Sequence, residues 1–294
     1  MVTRRVAIAF PGQGVDPIDT GRILHQHRRQ PLVRELAAHL GDDDWQSIDL
    51  ADTRVAQPAV YTASLLSARE ATRIEGEVGD IAAVTGHSLG ELAAAAFADA
   101  YSDEAGLELA VRRANVGHSA QARRIGAMAV VMRLDAEKVE EVRAEAAGDD
   151  VLVLAVENGP RQFVLSGDHP AVLRAIEFAE RQGGVSRLLS IGGAYHSPLL
   201  AEASSQFESA AAELIERDPR LPVVSSTAVR PVTSHEDLVR VLGRSLVLPV
   251  RWPTVLDVLA SLGISEAIDT GPGTTLANLS RFTRTIPVHA LRQE

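Results

Sequence analysis

Apolar positions along this chain follow two rhythms, short unbroken runs and helical spacings, and the two alternate from the N-terminus onward. "RVAIAF" (5–10) is a short apolar run halted by "PGQG", which predicts a buried strand entering a tight loop. Residues 19–40 and 56–75 carry apolar side chains at helical spacing. "IAAVT" (81–85) predicts a second strand, "GELAAAAFADA" the helix that follows it at once, and 103–118 a further helix rich in Ala, Arg and Leu. Strands that alternate with helices in this way pair in parallel through βαβ crossovers.

The pattern changes near residue 126. "GAMAVVMRL" reads as a strand, "DAEKVEEVRAEAAG" as a helix, and "VLVLAVENGPRQFVLSG" as two strands joined at Asn158-Gly159-Pro160. "DHPAVLRAIEFAERQGG" is a helix with Asp168 as its N-cap, and "VSRLLSIGGAYHS" supplies one more strand. The order β-α-β-β-α-β is the ferredoxin-like pattern. It predicts an α+β subdomain over 126–193, inserted into a large α/β domain made of 1–125 and 194–294. A helix over 198–216 and the strands "LPVVSST", "EAIDT" and "IPVHAL" return the chain to that larger domain and its central parallel sheet.

Composition narrows the chemistry. Of 294 residues 46% are hydrophobic and only 4% aromatic, so Ala, Val and Leu must fill a large core. A net charge of −10 argues against nucleic acid as a partner. No apolar run reaches membrane-spanning length, and the stretch before "PGQG" is too short for a signal peptide, so a cytoplasmic protein without membrane attachment is expected. The absence of cysteine removes disulfides, thiolate metal sites and cysteine nucleophiles, and Lys138 is the only lysine.

The candidate chemistry centres on "GHSLGE" (86–91). A Gly-x-Ser-x-Gly turn between an apolar strand and a strong helix presents its serine, here Ser88, at a sharp corner facing the helix N-terminus. An ordinary strand-to-helix turn is the alternative. A nucleophilic serine needs a base, and nine histidines compete. His25, His27 and His39 lie in polar helical surroundings, His118, His169 and His235 at helix ends or loops, and His87 must point away from Ser88. His196, in "GGAYHSP", and His289, in "IPVHAL", remain. With His289 and Asp269 the chain would be an α/β-hydrolase, and with His196 an acyl-transfer enzyme whose cleft lies at the domain junction.

Across nearly its whole length the sequence resembles the malonyl-CoA:acyl-carrier-protein transacylase family, including the acyltransferase domains of polyketide synthases. The landmarks occur in the family's order: "FPGQG" (10–14), "AQPAV" (56–60), "GHSLGE" (86–91), "RRA" (112–114), "ENGPRQFVLSG" (157–167), "GAYHS" (193–197), "PVRW" (249–252) and "DTGPGTTL" (269–276). The resemblance implies a large α/β-hydrolase-like domain and ping-pong transfer through an acyl-serine on Ser88, with His196 as base. It implies a backbone carbonyl near Arg251 orienting that histidine, and the N–H groups of Gln13 and Leu89 as oxyanion donors. It gives Arg113 the binding of the malonyl carboxylate, and sets Asn158 near the mouth of the site, although a tight turn is an alternative reading for Gln13 and for Asn158. Tyr195, as an aromatic residue before the histidine, favours malonyl over α-methyl-branched groups by filling space. No cofactor or metal is implied, only malonyl-CoA and the phosphopantetheine of an acyl carrier protein as substrates, and a monomer is expected. Basic groups for carrier docking are offered by "HQHRRQ" with Arg34, Arg123–Arg124, Arg244 with Arg251, and Arg281 with Arg284. Asp16 stands where the family has a second glutamine, and 15–55 is short, which bears on the entrance and the carrier. Fatty-acid synthesis, a polyketide pathway or a malonate decarboxylase system all suit this pattern. A related enzyme for another acyl unit, a serine thioesterase or esterase, and a non-catalytic carrier-protein scaffold remain the competing readings.

Overall fold

Residues Arg5–Phe10 form strand β1, and their alternation sets what lies on each face of the main sheet. Val6, Ile8 and Phe10 enter the principal core with Val84, Leu92 and Leu107. Ala7 and Ala9 face the other way, and their small side chains let Trp252, Val255, Leu256 and Leu259 pack closely over the sheet. The computed structural model describes residues 4–73, 79–283 and 285–291.

After β1 come α1 (Pro17–Gln26), α2 (Pro31–Leu40), α3 (Thr53–Ala71), β2 (Asp80–Gly86), α4 (Gly90–Phe97) and α5 (Asp103–Arg123). The second part holds β3 (Gly126–Met132), α6 (Ala136–Ala147), β4 (Leu152–Gly159), β5 (Gln162–Asp168), α7 (His169–Arg181) and β6 (Val185–Leu188). The chain then runs through α8 (Ala201–Leu214), β7 (Val223–Val224), β8 (Pro231–Val232), α9 (His235–Arg244), β9 (Val250–Arg251), α10 (Trp252–Ser261), β10 (Glu266–Asp269), α11 (Thr275–Leu279) and β11 (Val288–Ala290).

Among the described residues the strands form two sheets. The larger has the order β11-β10-β1-β2-β7-β8 and is parallel except at its β7–β8 edge. The smaller has the order β6-β3-β5-β4 with antiparallel pairing, the ferredoxin-like arrangement, and β9 adds to it in parallel beside β4. The fold class is therefore the expected one. Strand β9 was not foreseen, and two residues are too few to leave a periodic signal. One face of the small sheet packs on α6 and α7 through Val131, Val142, Leu165 and Val172. Its other face sends Met128, Val130, Val156 and Val164 into the principal core, so the two sheets share apolar packing. No helix among the described residues is long and apolar enough to cross a membrane.

Several local readings change. The 19–40 segment is two helices, because the chain leaves helical geometry after Gln26 and restarts at Pro31, a residue suited to the first turn. Asp16 caps α1 by accepting the N–H groups of Ile18 and Asp19 at 2.8 and 3.3 Å. Helix α3 begins at Thr53 and ends at Ala71, and the end of the 56–75 reading lies outside the described residues. Asp168 stands at the N-cap position of α7 without making the cap bond. Its carboxylate instead grips Arg124 at 2.6 and 2.7 Å and accepts the N–H of Val151 at 2.8 Å, a charge-assisted bidentate pair that turns it away from the helix. The strand read over "VSRLLSIGGAYHS" ends at Leu188, leaving Gly192 to Ser197 as an irregular crossing between the sheets.

Candidate active site

Four parallel strands end on the same side of the large sheet, and each delivers a loop to one cavity or to its supports, as open α/β sheets do. β1 leads to Gln13, β2 to Ser88, β7 to Ser226 and β10 to Thr275. The cavity has a volume of about 260 Å³, and Met128, Val130, Val156 and Val164 of the small sheet supply much of its apolar wall.

Steric demands explain the Gly-x-Ser-x-Gly spacing. Ser88 holds a positive φ of 53°, a sparsely populated conformation for a residue with a side chain. A Cβ on Gly86 would lie 2.0 Å from the carbonyl carbon of Gly90, and one on Gly90 would lie 2.1 Å from the carbonyl oxygen of Phe10. Both glycines are thus required by close backbone approach, and the corner they allow lifts the Ser88 hydroxyl into the cavity.

Ser88 Oγ lies 2.7 Å from His196 Nε2, and His196 Nδ1 lies 2.9 Å from the carbonyl oxygen of Leu248. A carbonyl only accepts, so Nδ1 carries the proton and Nε2 is left to accept from the serine hydroxyl. The orienting carbonyl belongs to Leu248 and not to Arg251. Arg251 is committed to β9, where its N–H donates to the carbonyl of Ser226 at 2.9 Å. His196 itself has a φ of 62°, and its backbone N–H donates to Leu246 at 2.7 Å, so the 246–248 segment holds both ring and main chain.

Arg113 lies on the cavity wall and is 3% exposed. Its guanidinium donates to Gln57 Oε1 at 2.9 Å and to Ser88 Oγ at 3.2 Å, and sits 5.1 Å above the Tyr195 ring. Among the described residues no carboxylate lies within ion-pair distance of it. Its neighbour Arg112 points elsewhere and binds Glu108 and Glu213, each at 2.7 Å. Burial and the charge of Arg113 together hold the His196 imidazole down at about 3, so it is a neutral base across the whole ordinary pH range.

That depression has a consequence for stability. The folded value of His196 lies below the unfolded one, so between pH 6.5 and about 3 the unfolded chain binds a proton that the folded chain refuses. Stability is complete above that window and falls as pH drops through it. Denaturant titrations at pH 7.5 and 5 should show the parent losing about 2 kcal/mol more than His196→Gln. Equal losses would contradict the buried, neutral imidazole.

The remaining residues singled out by sequence are also located. Gln13, Leu89, Asn158 and Tyr195 all line the cavity with Ser88. Leu89 stands at the start of α4, and the Gln13 side chain donates to Thr53 Oγ1 at 3.3 Å. Asn158 Oδ1 lies 2.9 Å from His87 Nε2, a link from the small sheet to the elbow, and burial lowers the basicity of His87. His289 is on the edge strand β11 beside Glu266 at 3.4 Å. Asp269 accepts the N–H groups of Gly271, Leu276 and Ala277 instead of a histidine, and burial pushes its carboxyl up to about 6. The hydrolase order Ser88–Asp269–His289 is therefore not assembled. Arg123 is spent on Glu202 and Arg124 on Asp168, while Arg284 lies outside the described residues.

Three supports were not singled out from the sequence. Gln57, fully buried in α3, bridges Arg113 and Tyr195. Ser226 Oγ accepts the N–H of Ser88 at 3.2 Å and donates to Glu91 Oε1 at 2.7 Å, tying the strained corner to a buried carboxylate. Arg187, exposed on β6, stands at the cavity wall. The Glu that follows the elbow motif and the Gln inside an apolar helix were the available signals, but neither names its partners.

A serine on a strand-to-helix corner, hydrogen-bonded to a carbonyl-oriented histidine and opening on a narrow apolar cavity, defines an enzyme that moves acyl groups through a serine ester. The comparisons agree: residues 33–278 match the family described as acyl transferase domain, and the chain belongs to that family. It is 33% identical to the polyketide biosynthesis protein ThaF of Burkholderia thailandensis over 94% of the chain, but spans only 24% of that protein's length. It is 29% identical to the malonyl CoA-acyl carrier protein transacylase of Bacillus subtilis, covering 97% of this chain and 93% of that protein. Among solved structures, malonyl-CoA:acyl carrier protein transacylase from Xanthomonas oryzae pv. oryzae superposes with a TM-score of 0.88 at 32% identity, covering 97% and 94% of the two chains. A malonyl-transacylase captured with its type II polyketide synthase acyl-carrier protein superposes with a TM-score of 0.86 at 26% identity, covering 99% and 96%.

Proposed function

We propose that this acyltransferase carries a malonyl group from malonyl-CoA to the phosphopantetheine thiol of an acyl carrier protein. Ser88 Oγ attacks the thioester carbonyl while His196 Nε2 takes its proton, and the N–H groups of Leu89 and Gln13 receive the developing oxyanion. Collapse breaks the carbon–sulfur bond, and the departing CoA sulfur takes the proton from His196. The carrier thiol then gives its proton to the same nitrogen and attacks the ester, which returns Ser88 to its hydroxyl form. A histidine held by the Leu248 carbonyl suffices, since that bond fixes tautomer and orientation without a third acidic group.

The observation that carries the reading is Arg113, a buried guanidinium 3.2 Å from the nucleophile without a carboxylate partner among the described residues. Such a cation is costly unless an anion joins it, and a planar fork matches both oxygens of a free carboxylate. Asn158 and His87 brace the small sheet against the elbow, and Arg187 at the wall suits the phosphates that CoA and phosphopantetheine carry.

The fate of the ester separates transfer from hydrolysis. Incubated with malonyl-CoA alone, the enzyme should hold its malonyl group, and adding a holo carrier protein should discharge it onto the carrier with parallel double-reciprocal plots. Release to water as fast as to the carrier would assign a thioesterase.

A further inference from the structure

Two neutral side chains lie against Arg113 where it reaches Ser88. Gln57 comes from α3, Arg113 from α5 and Tyr195 from the loop before His196, so three separate segments meet at one guanidinium. Gln57 uses both ends of its amide. Oε1 accepts from Arg113 at 2.9 Å, and Nε2 donates to the Tyr195 hydroxyl at 3.0 Å. A flipped amide would set N–H against N–H, so the arginine fixes the amide and the amide in turn fixes the phenol.

The helix also makes room for that phenol. Gly117 follows Arg113 by one turn of α5, and a Cβ there would lie 2.1 Å from the Tyr195 hydroxyl and 2.7 Å from Cζ. Space filling beside the acyl group requires only an aromatic ring. The hydroxyl has its own accommodation in the helix and its own bond to Gln57. The neutrality of residue 57 matters equally, because a carboxylate in its place would pair with Arg113 and spend the charge before substrate arrives.

We propose that Gln57 and the Tyr195 hydroxyl form a neutral bracket that aims the Arg113 guanidinium at the acyl group while leaving its charge free. Both are positioning residues that set the preference for a carboxylated acyl group through Arg113. The proposal rests on the malonyl reading above and adds to it that selectivity is lost without touching the arginine.

The test is single-turnover acylation of the full chain by malonyl-CoA and by acetyl-CoA, followed by intact mass, in the parent, Tyr195→Phe, Gln57→Glu and Arg113→Ala. Tyr195→Phe should lower the malonyl-over-acetyl ratio about five- to tenfold, the size of one lost hydrogen bond, as a higher half-saturating malonyl-CoA concentration rather than a lower maximal rate. Gln57→Glu should lower the ratio by about 100-fold or more, since its carboxylate competes for the buried fork. It should also move the acidic limb of the acetylation rate to higher pH, because His196 then sits beside a neutralised arginine. If both variants keep the parent's ratio, or lose both reactions equally, while Arg113→Ala alone loses selectivity, the bracket is wrong and the malonyl reading stands. If Arg113→Ala keeps the ratio, the malonyl reading itself fails.

Discussion

Arg113→Ala is expected to lower kcat/KM for malonyl-CoA by about 10²–10⁴-fold, the kinetic equivalent of leaving a buried carboxylate without its cation. The guanidinium has no anionic partner in the free enzyme among the described residues, so its removal breaks no ion pair. It also removes a positive charge that holds the His196 imidazole down, so the base becomes stronger rather than weaker. The loss must then fall on carboxylated substrates and spare acetyl-CoA. Steady-state kinetics with both thioesters check this, and an equal loss with both would contradict the role.

The second large effect falls on the base. His196→Ala should lower the rate of acylation on the order of 10⁴–10⁶-fold, because nucleophile and base act as one unit. Among the described residues no third side chain is placed to take part in the proton transfer, since the ring is oriented by the Leu248 carbonyl and the neighbouring Arg113 cannot accept a proton. Stopped-flow release of CoA thiol measures the step. A loss below about tenfold would mean that another group deprotonates Ser88, which the 2.7 Å contact does not allow for.

The parts of this site legible in the sequence were those whose requirement is local. Gly86 is dictated by a contact within its own corner, and the spacing around Ser88 announced the elbow, although the need for Gly90 also comes from the Phe10 carbonyl of the neighbouring strand. The fold class was legible because both sheets are built from runs with clear periodicity, whereas β9 contributes only Val250 and Arg251. His196 and His289 both stood as candidate bases from their local sequence, and only the family resemblance chose between them. Arg113 was separable from Arg112 only through the family resemblance, since both lie in the same helix and differ in which way they turn.

What stayed hidden depends on distant chain segments meeting. Gln57 finds its two partners 56 and 138 positions away. The orienting carbonyl was placed near Arg251 but belongs to Leu248, because every residue has a carbonyl and only loop conformation selects one. Asp168 carried a strong capping signal, yet Arg124 drew its carboxylate away. Ser226 left no local signal, and Glu91, though it follows the elbow motif, did not name the partner through which it anchors the backbone of the nucleophile.

Nucleophile and selectivity meet in one species, a malonyl group held on Ser88 and chosen by Arg113. Intact mass after brief incubation with equal concentrations of malonyl-CoA and acetyl-CoA reads both at once. One malonyl adduct is expected on the parent, none on Ser88→Ala, and loss of the malonyl preference in Arg113→Ala. An adduct that survives Ser88→Ala, or equal malonyl and acetyl labelling of the parent, would refute this assignment.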